Sequence, residues 1–320
     1  MITSTKNPRI IEARKLAERK YRRQQNRFLV EGLQLLGLAV EMMATPAGRA
    51  KIKPLELFYS EELFTGPTAP RLLKLLTQAG AEAIPVAAHV LDSLSGREIS
   101  QGLAATFSLS DLEWPLERMG EWANGRMSES ANQRISEDSP PLLHPSPSSP
   151  PTPSGCPGDR LLLLLDQLQD PGNLGTLIRT ADAVGAAGAI LLEPCVDPFD
   201  PKTVRGTMGS LFTLPFARVK DMAETATKLK AWGYRLVGAD GQQGDFPWQG
   251  EVLAGPVALA LGNEARGLSQ EVRPHLDDYV RLPLRGHAES LNVSVAGGAL
   301  MYEWLRVNVQ TLERSTVPFR

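Results

Sequence analysis

The chain has 320 residues, 42% of them hydrophobic and 22% charged, with a formal net charge of −2. This balance is ordinary for a folded globular protein and excludes a globally basic nucleic-acid binder, so any polyanion-binding surface must be local. Two cysteines, Cys156 and Cys195, exclude a disulfide framework, and four scattered histidines offer no metal-ligand spacing, so no metal site is expected.

No apolar run reaches the roughly 20 residues of a membrane helix. The N-terminus lacks the apolar core of a signal peptide. A cytoplasmic protein of two domains is expected.

Residues 6–27 hold nine Lys or Arg against two acids, Glu12 and Glu18. Ile10, Ile11, Ala13, Leu16 and Ala17 are spaced for one helical face, which predicts a basic amphipathic helix. Such a run is either a solvated face or a surface for phosphates, where Lys and Arg displace counterions from nucleic acid. The candidate contacts are Lys6, Arg9, Arg19, Lys20, Arg22 and Arg23. Strands are predicted at 28–30, 55–59, 83–86 and 102–107, with helices at 31–43 and 71–78. This alternation reads as a small α/β domain over residues 1–112.

Residues 113–158 break the pattern. From Ser139 to Gly158, 13 of 20 residues are Pro or Ser. Such a stretch buries too little apolar surface to offset its ordering entropy. It is expected to be a disordered tether, with a Pro-rich partner site as the other reading. Trp114, Met119 and Trp122 are expected to form a short helix that packs on the first domain.

The second domain, 159–320, opens with Leu161-Leu162-Leu163-Leu164-Leu165, a run suited to a central parallel strand. A Gly-rich turn, Pro171-Gly172-Asn173-Leu174-Gly175, is predicted to lead into a helix at 177–184. Further strands are expected at 189–192, 234–239, 257–261 and 279–284. Helices are expected after Asp200, at 221–232 and from Val295. The repeated βα order predicts a mostly parallel, three-layer sheet. The Gly-rich turn lacks G-x-G-x-x-G and Gly-Lys-Ser/Thr, so neither a dinucleotide fold nor a P-loop is supported. Two further segments sit where strands end: Gly262-Asn263-Glu264-Ala265-Arg266-Gly267-Leu268 and His287-Ala288-Glu289-Ser290-Leu291-Asn292-Val293-Ser294-Val295-Ala296. Ligands bind at such strand ends in open α/β sheets.

Three segments in one order carry a family resemblance. Asp170-Pro171-Gly172-Asn173-Leu174-Gly175-Thr176-Leu177-Ile178-Arg179-Thr180-Ala181 resembles the first motif of the SpoU (TrmH-type) RNA ribose methyltransferases, of the SPOUT superfamily. The 262–268 segment resembles the second motif. Leu282-Pro283-Leu284 with 290–296 resembles the third. The stretch 201–209 is a further family-like feature, and it holds Lys202 and Arg205 as candidate RNA contacts. More loosely, Lys6-Asn7-Pro8, Phe28-Leu29-Val30-Glu31-Gly32 and Gln101-Gly102-Leu103-Ala104-Ala105 resemble an L30e-like RNA-binding domain.

The resemblance implies a C-terminal domain with a trefoil knot, a homodimer through that domain, and S-adenosylmethionine as methyl donor. It implies methylation of a ribose 2′-hydroxyl, in 23S rRNA or else in tRNA. A non-catalytic RNA-binding protein is the other reading, but such a relic should have lost Arg179, Asn173 or Asn292. Leu261, Gly262, Asn263, Gly267, Leu282, Leu284 and Leu291 are expected around the donor. Arg179, one turn into its helix, is expected to grip the target phosphate. Its guanidinium stays protonated, so a phosphate oxygen or water would take the ribose proton. Asn173 is expected to orient Arg179 or the ribose, and Glu264 to fix Arg179 by a charge-assisted bond. Ser290 and Asn292 would hold the nucleotide, cap the last helix, or do both.

Overall fold

The computed structural model describes residues 1–94, 101–110, 112–123 and 160–312. Most of the expected tether, from 124 to 158, lies outside the described residues. Contacts divide the chain into two units. The first is Met1–Glu113 with Asp197–Thr213; the second is Trp114–Val196 with Leu214–Arg320.

The first unit begins with α1 (Pro8–Lys15) and α2 (Arg19–Gln25). They are two helices, where the charge run had suggested one. Asn7 caps α1 by accepting from the Arg9 amide, and the chain breaks at 16–18 before α2. Ile10, Ala13 and Leu16 face inward as their spacing predicts, whereas Ile11 and Ala17 are exposed. Next come β1 (Arg27–Glu31), α3 (Leu33–Ala44), α4 (Pro46–Lys51), β2 (Pro54–Tyr59), α5 (Thr68–Gln78), β3 (Glu82–Pro85), α6 (Ala88–Asp92) and β4 (Leu103–Ser108). The sheet order is β1-β4-β2-β3. β4 pairs antiparallel with β1 and β2, while β2 and β3 are parallel. β4 is buried along its whole length, as a central strand should be.

The inserted segment 197–213 carries α9 (Pro201–Thr207). Its Phe199 packs 4.9 Å from Phe28, and its Phe212 packs 5.5 Å from Phe107. Four buried aromatic rings thus tie this segment to the first unit. Chain order alone places these residues in the second domain; the long-range aromatic contacts place them in the first.

The second unit contains α7 (Leu116–Ala123), β5 (Leu161–Asp166), α8 (Pro171–Ala183), β6 (Gly188–Leu192), β7 (Phe216–Val219), α10 (Met222–Ala231), β8 (Arg235–Ala239), β9 (Val257–Leu261), β10 (Asp278–Val280) and α11 (Val293–Leu312). All six strands are parallel, in the order β10-β8-β9-β5-β6-β7. Burying each leucine of β5 stabilises the fold by roughly 1.5–3 kcal/mol, and none of the five is exposed. Leu162, Leu164, Ala258 and Ala260 face Met222, Ala226 and Leu229 of α10. On the other face, Gly297 of α11 lies against Leu177 of α8 and Leu261 of β9. Helices therefore cover both faces of the sheet.

Three expectations are corrected here. The Trp114 segment packs on the second unit, not the first: Met119 is fully buried in that unit's core with Trp114, and Trp122 stacks edge-on to Trp114. The strand expected at 279–284 ends at Val280, because β8, its partner, ends at Ala239, and Pro283 has no N–H to extend the ladder. Helix α8 begins at Pro171, six residues before the predicted start. Asp170 caps it by accepting from the Asn173 amide, and Pro171 sits at the first position, where a missing N–H costs nothing. The edge strand β7 was not predicted; four residues, Phe216–Val219, give too little pattern to detect.

Candidate functional site

β8, β9 and β10 end side by side, and their last residues Ala239, Leu261 and Val280 line a cavity of about 470 Å³. That volume lies within the roughly 300–1,000 Å³ of small-molecule sites. Two chain segments form its other walls. From the second motif come Gly262, Asn263, Glu264, Ala265 and Gly267. From the third come Leu282, Leu284, Ser290, Leu291 and Asn292. Every residue expected around the methyl donor therefore lines this one cavity. Asp240, Gly241, Val293, Ala296 and Leu300 line it too and were missed. The end of β8 was the available signal for Asp240 and Gly241, since ligands gather at strand ends.

The 262–268 loop is a tight reversal. The Asn263 and Gly267 backbones bond in both directions, at 3.0 and 2.8 Å. Asn263 Oδ1 accepts from the Ala265 and Arg266 amides, and its Nδ2 donates to the Gln167 carbonyl at 2.9 Å. Gly262 has no room for a side chain, since a Cβ there would lie 2.2 Å from the Gly267 carbonyl carbon.

The β5–α8 turn grips the same loop. Asp166, at the buried end of β5, accepts from the Ser269 amide at 2.6 Å. Glu264 accepts from the Gln169 amide at 3.2 Å, the Asp170 amide at 3.1 Å and Asn173 Nδ2 at 3.0 Å. Burial alone would raise the Glu264 carboxyl. The Asn173 bond and these amides outweigh burial and hold it below its ordinary value. Asn173 Oδ1 accepts from Asn292 Nδ2 at 2.9 Å, and Asn292 Oδ1 accepts from the Ser294 and Val295 amides. Asn292 thus caps α11 and joins the third motif to the first. Ser290 lines the cavity and takes no part in the cap.

Arg179 departs from expectation. It is exposed in the third turn of α8 and is not among the cavity-lining residues. Glu264 and Asn173 spend their polar atoms on each other, on Asn292 and on backbone amides, so neither fixes Arg179. The reason is geometric: six residues separate Asn173 from Arg179, which at about 100° per residue turns the two side chains about 120° apart.

The expected RNA contacts lie in the first unit and divide by burial. Lys6, Lys20, Arg23 and Lys202 are exposed. Arg9 is half-exposed and bonds Glu82 at 2.6 Å. Arg19 is half-buried. Arg205 bonds Glu31 at 3.2 Å. Arg22 is a correction: its side chain is only 2% exposed and pairs with Asp197 at 2.7 Å. Its Nη1 donates to the Leu16 and Ala17 carbonyls. A guanidinium buried and committed in this way does not reach RNA. Among the described residues, no group of three His, Cys, Asp or Glu side chains could hold a metal, and no helix is long and apolar enough to cross a membrane.

Comparison with known proteins places this geometry in a family. Residues 160–302 match the SpoU rRNA Methylase family, and residues 7–105 match the MRM3-like substrate binding domain. An uncharacterized tRNA/rRNA methyltransferase of Synechocystis is 30% identical over 94% of this chain and 92% of its own length. The 23S rRNA (guanosine(2553)-2′-O)-methyltransferase RlmP of Bacillus subtilis is 41% identical, over 45% of this chain and 57% of its own. Thus the chain aligns with little more than half of that relative. Among solved structures, an AdoMet-bound rRNA methyltransferase from Sinorhizobium meliloti superposes with a TM-score of 0.73 at 28% identity, over 95% of this chain and 97% of that one. AviRb from Streptomyces viridochromogenes, a SpoU methyltransferase in complex with AdoMet, gives 0.73 at 28%, over 95% and 99%. The full-length likeness, the two domain matches and the meeting of the second and third motif segments at one cavity, with the first bonded to both through Asn173, agree: the chain belongs to the SpoU/TrmH family of S-adenosylmethionine-dependent RNA 2′-O-ribose methyltransferases, with an MRM3-like substrate-binding domain preceding the methylase domain.

Proposed function

We propose that this chain methylates a ribose 2′-hydroxyl in 23S rRNA, with the methyl donor in the cavity at the ends of β8, β9 and β10. The observation that carries the reading is that cavity: leucines and a glycine-bounded reversal from two motif segments around a volume of about 470 Å³. The rRNA target is favoured over tRNA because RlmP is a 23S rRNA methyltransferase, the Sinorhizobium meliloti structure is an rRNA methyltransferase, and the methylase match is to the SpoU rRNA Methylase family.

S-adenosylmethionine supplies an electrophilic methyl on a sulfonium; the methyl–sulfur bond breaks as the oxygen–carbon bond forms, and the ribose proton leaves to water or a phosphate oxygen. This chain's residues position the reactants. Leu282, Leu284 and Leu291 form apolar walls, and the reversal from Gly262 to Gly267 closes the cavity with backbone in place of bulky side chains. Glu264, Asn173 and Asn292 hold the walls in register. Arg179 grips the target phosphate and stabilises developing alkoxide charge; as a guanidinium it does not serve as the base.

Arg179 lies outside the cavity of its own chain, so a homodimer is part of the proposal. Leu291, Val295 and Tyr302 are 41%, 58% and 55% exposed. They line the start and one face of α11, an apolar stripe of the kind that marks a self-association surface. Across such an interface, one copy's Arg179 reaches the other copy's donor cavity. The trefoil knot implied by the family resemblance belongs to the same proposal.

The test maps 2′-O-methyl sites in 23S rRNA and tRNA from cells with and without the protein, and measures turnover and donor binding of Arg179→Ala. We expect one rRNA site to disappear. We expect Arg179→Ala to lose methyl transfer while donor affinity by calorimetry stays near wild type. Full turnover in that variant would remove Arg179 from the mechanism.

A further inference from the structure

The connection between β8 and β9 carries surface chemistry that the donor cavity does not use. Trp248 keeps 55% of its surface in solvent. Its ring stacks on Phe246, with centroids 5.4 Å apart and planes within 15°. The Arg281 guanidinium lies over the Phe246 ring, 4.6 Å from its centroid. The backbone fixes this arrangement: the Asp245 amide donates to the Tyr279 carbonyl at 3.1 Å, and the Arg281 amide donates to the Asp245 carbonyl at 3.0 Å. Gly244, at φ +101°, lets the turn lie flat on Tyr279, where a Cβ would come within 2.3 Å of that carbonyl oxygen.

Arg281 supplies the cation of this surface. Among the described residues, no carboxylate pairs with it, and its Nε is buried without a hydrogen-bond partner. The next residue, Leu282, lines the donor cavity, as do Asp240 and Gly241 at the start of the same connection. An open indole, held by stacking beside a cation without a counter-charge, borders the proposed reaction centre.

We propose that Trp248, Phe246 and Arg281 form a platform for an unpaired nucleotide of the RNA substrate, with its base stacked on the Trp248 indole and its phosphate on the Arg281 guanidinium. This rests on the reading of the chain as an RNA methyltransferase. Sequence-tolerant recognition of single-stranded RNA combines these two elements, aromatic faces for bases and cations for phosphates. An apolar protein partner would cover the indole and leave the guanidinium without a counter-charge, so RNA is the better fit.

The test uses the full chain, a single-stranded fragment of the rRNA it methylates, and S-adenosylmethionine. Stacking on an aromatic is worth roughly five- to hundred-fold in affinity per base. Trp248→Ala should raise KM for RNA by about that factor, with donor affinity and melting temperature unchanged. Trp248→Tyr, which keeps an aromatic face, should recover most of the loss. RNA should quench tryptophan fluorescence in the wild type and much less in Trp248→Phe. Arg281→Gln should flatten the salt dependence of RNA binding by about one log–log unit. A wild-type KM in Trp248→Ala overturns the platform. So does a change of oligomeric state in that variant with RNA affinity intact, which would assign the ring to a protein interface. A wild-type protein that methylates no RNA would instead sink the functional reading beneath it.

Discussion

Gly262→Ala adds a single methyl at the wall of the proposed donor cavity. The new methyl would stand 2.2 Å from the Gly267 carbonyl carbon and 2.3 Å from the Leu268 nitrogen. Carbon contacts are comfortable near 3.5–4.0 Å, so one side must retreat by more than about 1 Å. Neither neighbour is a flexible side chain; both are backbone atoms of a reversal closed by the paired Asn263 and Gly267 bonds. The reversal is also tied to the β5–α8 turn through Asn263, Glu264 and Ser269. The loop therefore opens as a unit and moves the cavity wall. Overpacking of this kind costs about 1–3 kcal/mol. A donor site displaced by an ångström should lose at least tenfold in affinity, or about 1.4 kcal/mol. Calorimetry with S-adenosylmethionine reads the affinity, and a thermal melt checks that the variant is folded. A folded Gly262→Ala protein with wild-type donor affinity would refute both the placement of the donor and the rigidity of the loop.

Three other predictions follow from the same contacts. Arg22→Met strands Asp197 in a buried site, where losing one partner of such a pair costs about 3–5 kcal/mol; with Asp197→Leu added, part of that loss should return, and near-wild-type urea stability of the single variant would contradict the pairing. Glu264 is held below its ordinary carboxyl value of 4.5, so its stabilisation is present above pH 4.5 and is lost as pH falls through its folded value; the melting-temperature gap between wild type and Glu264→Gln should be widest near neutrality and close in acid, and a gap independent of pH would deny the carboxylate that role. Replacing the exposed Lys20 and Arg23 with Gln should make the log–log salt slope of RNA binding shallower by up to about 2; an unchanged slope removes α2 from the RNA surface.

Local pattern was legible, and long-range partnership was not. The leucines of β5 and the apolar run of β9 announced central strands, and the segments at 262–268 and 282–292 marked the cavity walls beyond the end of β9. A charge run reports charge but not company. Arg22 reads like Lys20 and Arg23, because its partner, Asp197, lies 175 residues away. The same distance effect hid the allegiance of 197–213, which is set by Phe199 and Phe212 meeting Phe28 and Phe107. The start of α8 was missed for a different reason. Two glycines made Pro171-Gly172-Asn173-Leu174-Gly175 look like a turn, although Asp170 as cap and Pro171 behind it are helix-start signals. Leu282-Pro283-Leu284 misled because an apolar triplet reads alike as strand and as cavity wall.

Glu264 changes most in meaning between sequence and structure. An acid beside a cavity, in a chain whose first motif carries Arg179, invites a direct ion pair. The structure spends that carboxylate elsewhere, on two amides leading into α8 and on Asn173 within it. Those donors sit at the positive end of the helix dipole, where a carboxylate is favoured. The consequence is mechanical. The loop that bounds the donor cavity and the helix that carries Arg179 are joined by a short, charge-assisted contact, and Asn173 extends it to the cap of α11. On the proposed placement of the donor, any shift of the loop would pull on the base of α8 through this contact. On the proposed roles, loss of Glu264 should reach methyl transfer through the donor and loss of Arg179 through the RNA.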